Sequence, residues 1–227
     1  WTSLVGAIAT SRPEWGWRRS ALRAGVLWGS YAVGLTEVLS AIRHLTRISL
    51  FAGWAVLSVS CMTLLASRFV RRRRDGIQWS LGRPVALEWI LVLAVVFPLL
   101  VTAIVAWYAP PQTWDSLNYH MARVAHWVQQ GSVEHFATGI EVQNSRPPGA
   151  EFLVLQTYLL AGGDRFANYV QWSAMLISLV GVSLLADQLG AGPRGQWLAA
   201  VFVATLPMGS IQSSSTATDY LVALWCL

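Results

Sequence analysis

The chain has 227 residues, of which 55% are hydrophobic and 12% charged, with a formal net charge of +5. Its apolar residues come in long blocks instead of at amphipathic spacing, a membrane-protein composition, and the short cytoplasmic turns between the blocks are expected to leave no room for a soluble domain within these residues. The basic residues other than histidine are all arginine, and they cluster at block ends, at Arg18, Arg19 and Arg23 and again at Arg71 to Arg74; there they mark the cytoplasmic side of a span or meet anionic lipid, and they argue against nucleic acid as a partner.

The first block, Ser20 to Ile42, is a marginal span with Arg23 near one end and Glu37 near the other, both within snorkelling reach of an interface. The second, Ile48 to Val70, is long enough to cross and runs straight into "RRRRD", so its C-terminal end is expected to be cytoplasmic. After the turn-rich linker "GIQWSLGRP", Leu87 to Pro110 crosses outward, with Trp89, Trp107 and Tyr108 near its ends as interfacial aromatics.

From Pro110 to about Arg165 no run is long and apolar enough to span. Two helices are expected in this external loop, Asp115 to Gln130 and Ala150 to Leu160, both lying at the membrane surface or dipping into it. In the first, Leu117, Met121, Val124 and Val128 form the apolar stripe. Asn168 to Gly190 returns inward, "AGPRG" is a tight basic turn, and Gln196 to Gln212 is expected to cross outward as one helix. A further span begins at Tyr220. The chain starts at Trp1 and stops at Leu227 inside the apolar run "YLVALWCL", which reads as an N-terminal portion of a longer protein. The fold class expected is therefore all-α: a polytopic membrane helical bundle whose external loop carries amphipathic surface helices. Residues 1–86 form a two-span region with a cytoplasmic linker, and residues 87–227 a transmembrane core with external loop 110–165.

Long ordered loops tend to be functional, and counting crossings from "RRRR" puts Asp115 and Asp219 on the same, external side. On an ideal helix Asp115, Tyr119, Ala122 and His126 share one face beside the apolar stripe. Asp115 also sits where a helix N-cap belongs, so a cap and a catalytic base are both open for it. Glu151, after "SRPP", and Asp219, after "TAT", have the same ambiguity. Arg123, Arg146 and Arg165 are candidates for holding a lipid phosphate through the planar guanidinium fork, against the plainer reading of headgroup contacts or surface ion pairs. His120, His126 and His135 lack the spacing of a helical zinc pair, and Cys61 and Cys226 lie in apolar blocks with no metal or redox spacing.

The order of "WYAPPQTWDSLNYHMARVAHW", "SRPPGAEF" and "TATDYLVAL" resembles the GT-C superfamily of membrane glycosyltransferases, in the branch of the protein O-mannosyltransferases and bacterial aminoarabinose transferases (glycosyltransferase family 39). The resemblance covers about Glu88 to Leu227. It implies transfer of a sugar, with inversion, from a polyprenyl-phosphate donor to a glycan, lipid or protein acceptor on the extracytoplasmic face of a cell membrane, a bacterial inner membrane being the expected setting. It implies Asp115 as the catalytic base and Tyr119, Arg123, His126, Arg146, Glu151 and Asp219 as substrate-binding residues. No cofactor is assigned; a divalent cation is compatible with the pattern but not required by it. Many relatives carry a paired acid where this chain has Asp115-Ser116, which leaves the division of catalytic labour open. The alternative is a transporter or flippase for a lipid-linked or polar substrate, although such a protein places its binding charges near the bilayer midplane.

Overall fold

A computed structural model describes residues 2–11, 16–71 and 86–227. Arg72 to Arg74 and the "GIQWSLGRP" linker lie outside the described residues, among which every regular element is helical. In chain order these are α1 (Thr2–Ser11), α2 (Trp17–Ala41), α3 (Arg47–Arg71) and α4 (Ala86–Tyr108), then a π turn (Ser116–His120) that runs into α5 (Met121–Gln130). They continue with α6 (Val142–Ser145), α7 (Gly149–Ala161), α8 (Asn168–Gln188), α9 (Pro193–Ala204), α10 (Pro207–Ser213) and α11 (Asp219–Cys226).

Three stretches are long and apolar enough to cross a membrane: Arg47–Ser67, Ala86–Tyr108 and Asp164–Gln188. Ile48, Phe51 and Val56 on α3 and Leu93, Phe97 and Ile104 on α4 stay exposed along these helices. Water would penalise such a continuous apolar surface, and lipid would not. The marginal first block does form a long helix, α2. Its buried face is mostly small, with Ser20, Ala24, Gly25, Gly29, Ala32 and Thr36, the residue types that let helices approach closely. The approach is tightest at Gly29, where a Cβ would meet the Trp225 indole at 2.5 Å.

Two expectations are corrected. The block from Gln196 to Gln212 does not cross as one helix, because it breaks at Thr205 and Leu206 into α9 and α10. Pro207 disfavours a helical conformation at the residue before it, and Leu206 accordingly has ψ 118°. The 12 residues of α9 rise about 18 Å, short of the roughly 30 Å hydrocarbon core. The second correction concerns α7, expected at the membrane surface or dipping into it as an amphipathic helix: Glu151 to Gln156 are all buried, so it has no single buried face, and it packs within the bundle against α2, α3, α5 and α8.

Gln156 accounts for much of that placement. Its Nε2 donates to the Ala32 carbonyl at 2.8 Å and to Thr36 Oγ1 at 2.7 Å, while its Oε1 accepts from the Trp54 indole N–H at 2.8 Å. One side chain thus joins α7 to α2 and α3 in a setting with little water to compete. Residues before and after the linker therefore share one core.

The bundle has two distinct ends. At one, Asn168 Nδ2 donates to the Ala109 carbonyl at 2.9 Å, which joins the start of α8 to the end of α4, and the Val133 N–H donates to Ser40 Oγ at 2.9 Å, which joins the loop 110–165 to the C-terminal end of α2. At the other, Arg18 donates to the Ser183 carbonyl at 3.0 Å and to Gln196 Oε1 at 2.8 Å, and pairs with Asp187 at 3.1 Å.

Candidate functional site

At the loop end, the segment Pro110 to His120 begins with a polar turn whose first task is to satisfy the free amides of a helix start. Thr113 performs it: its Oγ1 accepts from the Ser116 N–H at 3.2 Å and pairs with Ser116 Oγ at 2.6 Å. Asp115 is already in helical backbone (φ −65°, ψ −39°) and makes no capping bond. It is exposed, and its carboxylate has no hydrogen bond or ion pair among the described residues. Of the two readings left open for Asp115, the cap belongs to a neighbour.

Asp219 is in the same position. It is the first residue of α11, exposed, with no side-chain capping bond at that helix start. The polar run before it is pinned to the head of the loop helix, since Thr216 Oγ1 donates to Ser116 Oγ at 2.6 Å across 100 positions of sequence. Ser116 is fully buried and Thr216 is 1% exposed, so the hydroxyl chain that ends at half-buried Thr113 is internal at Thr216 and Ser116 while the carboxylates beside it are exposed.

Tyr119 reports the electrostatics. Burial raises its phenol above the usual tyrosine value; Asp115, Glu151 and Asp219 push the same way, and Arg146 opposes them. Three carboxylates and one guanidinium from four separate segments therefore act on a single phenol. Arg146 is exposed and extended (φ −77°, ψ 142°), the backbone that Pro147 imposes on the residue before it.

Beneath this face lies a buried ionic cluster. Glu151 Oε1 accepts from Arg123 NH1 at 3.1 Å and from His120 Nδ1 at 3.0 Å; an ionised carboxylate only accepts, which makes the His120 nitrogen the donor. Arg123 is 1% exposed and also donates to the carbonyls of Gln143 at 2.6 Å and Arg146 at 2.9 Å. Burial lowers its pKa, and Glu151 and Tyr119 resist that. Arg123 and Glu151 are therefore corrected from substrate-facing groups to an internal clamp: their polar atoms hold the segment that presents Arg146. Only Glu151 Oε2 in this pair lacks a hydrogen-bond partner among the described residues.

The shared face of Asp115, Tyr119, Ala122 and His126 is also corrected. The π turn adds a residue to one turn and rotates the remainder of the loop helix by about 100° relative to an unbroken α-helix. His126 stacks on Phe136 instead, with ring centroids 4.0 Å apart and planes at 19°. The buried side of the loop helix consists of Ser116, His120, Arg123, Val124 and Trp127, and Leu117, expected in the apolar stripe, is exposed. Arg165 lies over the Trp107 ring at 4.3 Å. Sequence reasoning singles out none of Thr113, Ser116 and Thr216, and it weighs His120 only as a metal ligand, set aside for its spacing; "TWDS" carries a local capping signal for Thr113, and nothing local marks the partners of the others.

Among the described residues no three His, Cys, Asp or Glu side chains converge as a ligand set for a metal ion. Cavities of about 370, 230 and 410 Å³ are lined by other residues, and Asp115 and Asp219 are both exposed. Compared with protein-family models, curated proteins and solved structures, the chain matches none.

Proposed function

We propose that this chain is a multi-pass membrane glycosyltransferase that moves a sugar from a polyprenyl-phosphate carrier to a hydroxyl acceptor on the extracytoplasmic face, with Asp115 as the base. The observation that supports it most is the Thr216–Ser116 bond, which brings Asp115 and Asp219 to one end of the bundle, both exposed and neither used as a helix cap. An uncommitted carboxylate there can accept the acceptor hydroxyl's proton while its oxygen bonds to the anomeric carbon. The bond from that carbon to the carrier's phosphate oxygen breaks, and the phosphate leaves with the electron pair. Arg146, exposed and held by its backbone from below, supplies positive charge for the departing phosphate. Attack opposite the leaving group inverts the anomeric carbon.

The assay is transfer from labelled polyprenyl-phosphate sugars by membranes carrying the protein. Asp115→Asn is expected to lower turnover by about 10²–10⁴-fold with the protein still in the membrane fraction; near-parental turnover overturns the assignment. The transporter reading draws on Gln171, fully buried within α8 with neither polar atom of its amide partnered among the described residues, as a substrate group inside a bundle would be. Uptake that survives Asp115→Asn and fails in Gln171→Leu would favour that reading over sugar transfer.

A further inference from the structure

Buried polar atoms without partners gather on one side of α8. Gln171 is fully buried, and neither its Nε2 nor its Oε1 has a hydrogen-bond partner among the described residues. Asn168, 2% exposed, has an unpartnered Oδ1. Its orientation is fixed, because Nδ2 donates to the Ala109 carbonyl at 2.9 Å and a carbonyl can only accept. Ser178, also 2% exposed, has an unpartnered Oγ. Asn168, Gln171 and Ser178 follow one another at three and seven positions, which places them on one face of the helix.

A buried amide left unpaired costs more than its hydrogen bond contributes, so such groups are met by protein or by ordered water. The chemistry of this face selects the ligand. The Gln171 N–H groups repel a cation, and the side-chain oxygens of Asn168 and Gln171 repel an anion. A small neutral molecule that both donates and accepts satisfies them all. From 168 to 171 the helix rises about 4.5 Å, a gap that one water spans with two bonds of about 2.8 Å. The surroundings suit water as well. Asn168 is at the candidate-site end, and Gln171 lies about 10 Å along the stretch that begins at Asp164. Ala204, the last residue of α9 before its break, shares a core cluster with Ala174 and Met175 on the next turn of α8. Tyr220, whose Oη is a further buried atom without a partner among the described residues, belongs to the same cluster. Irregular backbone at membrane depth is tolerated where protein covers it or water reaches it.

We propose that α8 binds internal water at Asn168 and Gln171, admitted from the candidate-site end. One water donates to Asn168 Oδ1 and accepts from Gln171 Nε2, and a second donates to Gln171 Oε1. The inference is independent of sugar transfer and of transport. The test is X-ray hydroxyl-radical footprinting of the detergent-extracted protein read by mass spectrometry, since a bound water makes the radical in place and marks buried side chains that touch it. Met175 is fully buried one turn beyond Gln171, and Met121, half-buried at the loop end, is the reference of equal reactivity. Met175 is expected to be oxidised at no less than about a tenth of the Met121 rate, and Gln171→Leu to lower the Met175 rate about fivefold while leaving Met121 unchanged. A slower Met175 in the parent protein overturns the proposal whether or not the variant folds. An unchanged Met175 rate in a Gln171→Leu protein that elutes like the parent overturns it too.

Discussion

Replacing Glu151 by leucine tests the clamp beneath the candidate site. Glu151 is 2% exposed and faces Arg123, 1% exposed, at 3.1 Å. Without the carboxylate, Arg123 keeps only neutral carbonyl acceptors at Gln143, Val142 and Arg146, and a buried cation stripped of its counter-charge costs about 3–5 kcal/mol. Against a total stability of roughly 5–15 kcal/mol that is a large loss. Arg123→Met strands Glu151 with His120 as its remaining donor, and the double variant strands neither charge. The double variant is therefore expected to be more stable than the sum of the two single losses implies, by about 2 kcal/mol, within the usual range for partners in contact. Equilibrium denaturation in mixed micelles measures all four corners of the cycle. Single losses under about 1 kcal/mol, or additivity within about 0.5 kcal/mol, would refute the argument that this pair acts as one unit.

Thr113→Ala removes the capping hydroxyl and is expected to cost about 1 kcal/mol, whereas Asp115→Asn should change stability by less than about 0.5 kcal/mol; the reverse order in the same denaturation assay would return the cap to Asp115. Tyr119 has a folded-state pKa above its unfolded value of about 10, so the unfolded chain gives up this proton first as pH rises. The stability that the shift contributes is complete below about pH 10 and lost as pH climbs through the folded value; Tyr119→Phe should shallow that decline, and an unchanged alkaline profile would count against the electrostatic convergence on this phenol. Gln156→Leu removes three hydrogen bonds that join α7 to α2 and α3, at about 0.6 kcal/mol each in a membrane setting. A loss near 2 kcal/mol is expected, and a gain in stability would mean that α7 seats itself by apolar packing alone.

Much of the architecture was legible in the residues because the signals involved are local. A run of twenty apolar residues announces a helix that can cross, and it does so for α3, α4 and α8 whatever the rest of the chain does. The long polar loop and its two helices are legible for the same reason. So is the end of α5, where Gly131 takes φ 66° and its N–H bonds the Trp127 carbonyl at 2.9 Å, the left-handed closure that glycine makes cheaply.

What the sequence by itself determined, then, was the all-helical class, the apolar blocks of α3, α4 and α8 and the loop in which to look for chemistry; the further crossings expected at Ser20 to Ile42 and Gln196 to Gln212 are not among the three stretches long and apolar enough to span. The tertiary structure decided which polar groups in that loop face outward. Arg123 and Arg146 are the same residue type in the same segment, yet one is sealed against Glu151 and the other exposed; the difference lies in partners 20 to 28 positions away. Asp115 was freed from capping by a neighbour's hydroxyl, and Asp219 was brought to its end of the bundle by a bond spanning 100 positions. Helical periodicity describes only what recurs every few residues, and it misplaced His126 once a single π turn shifted the register. A polar side chain is buried or exposed according to whether a distant partner meets it, and that meeting exists only in the folded chain.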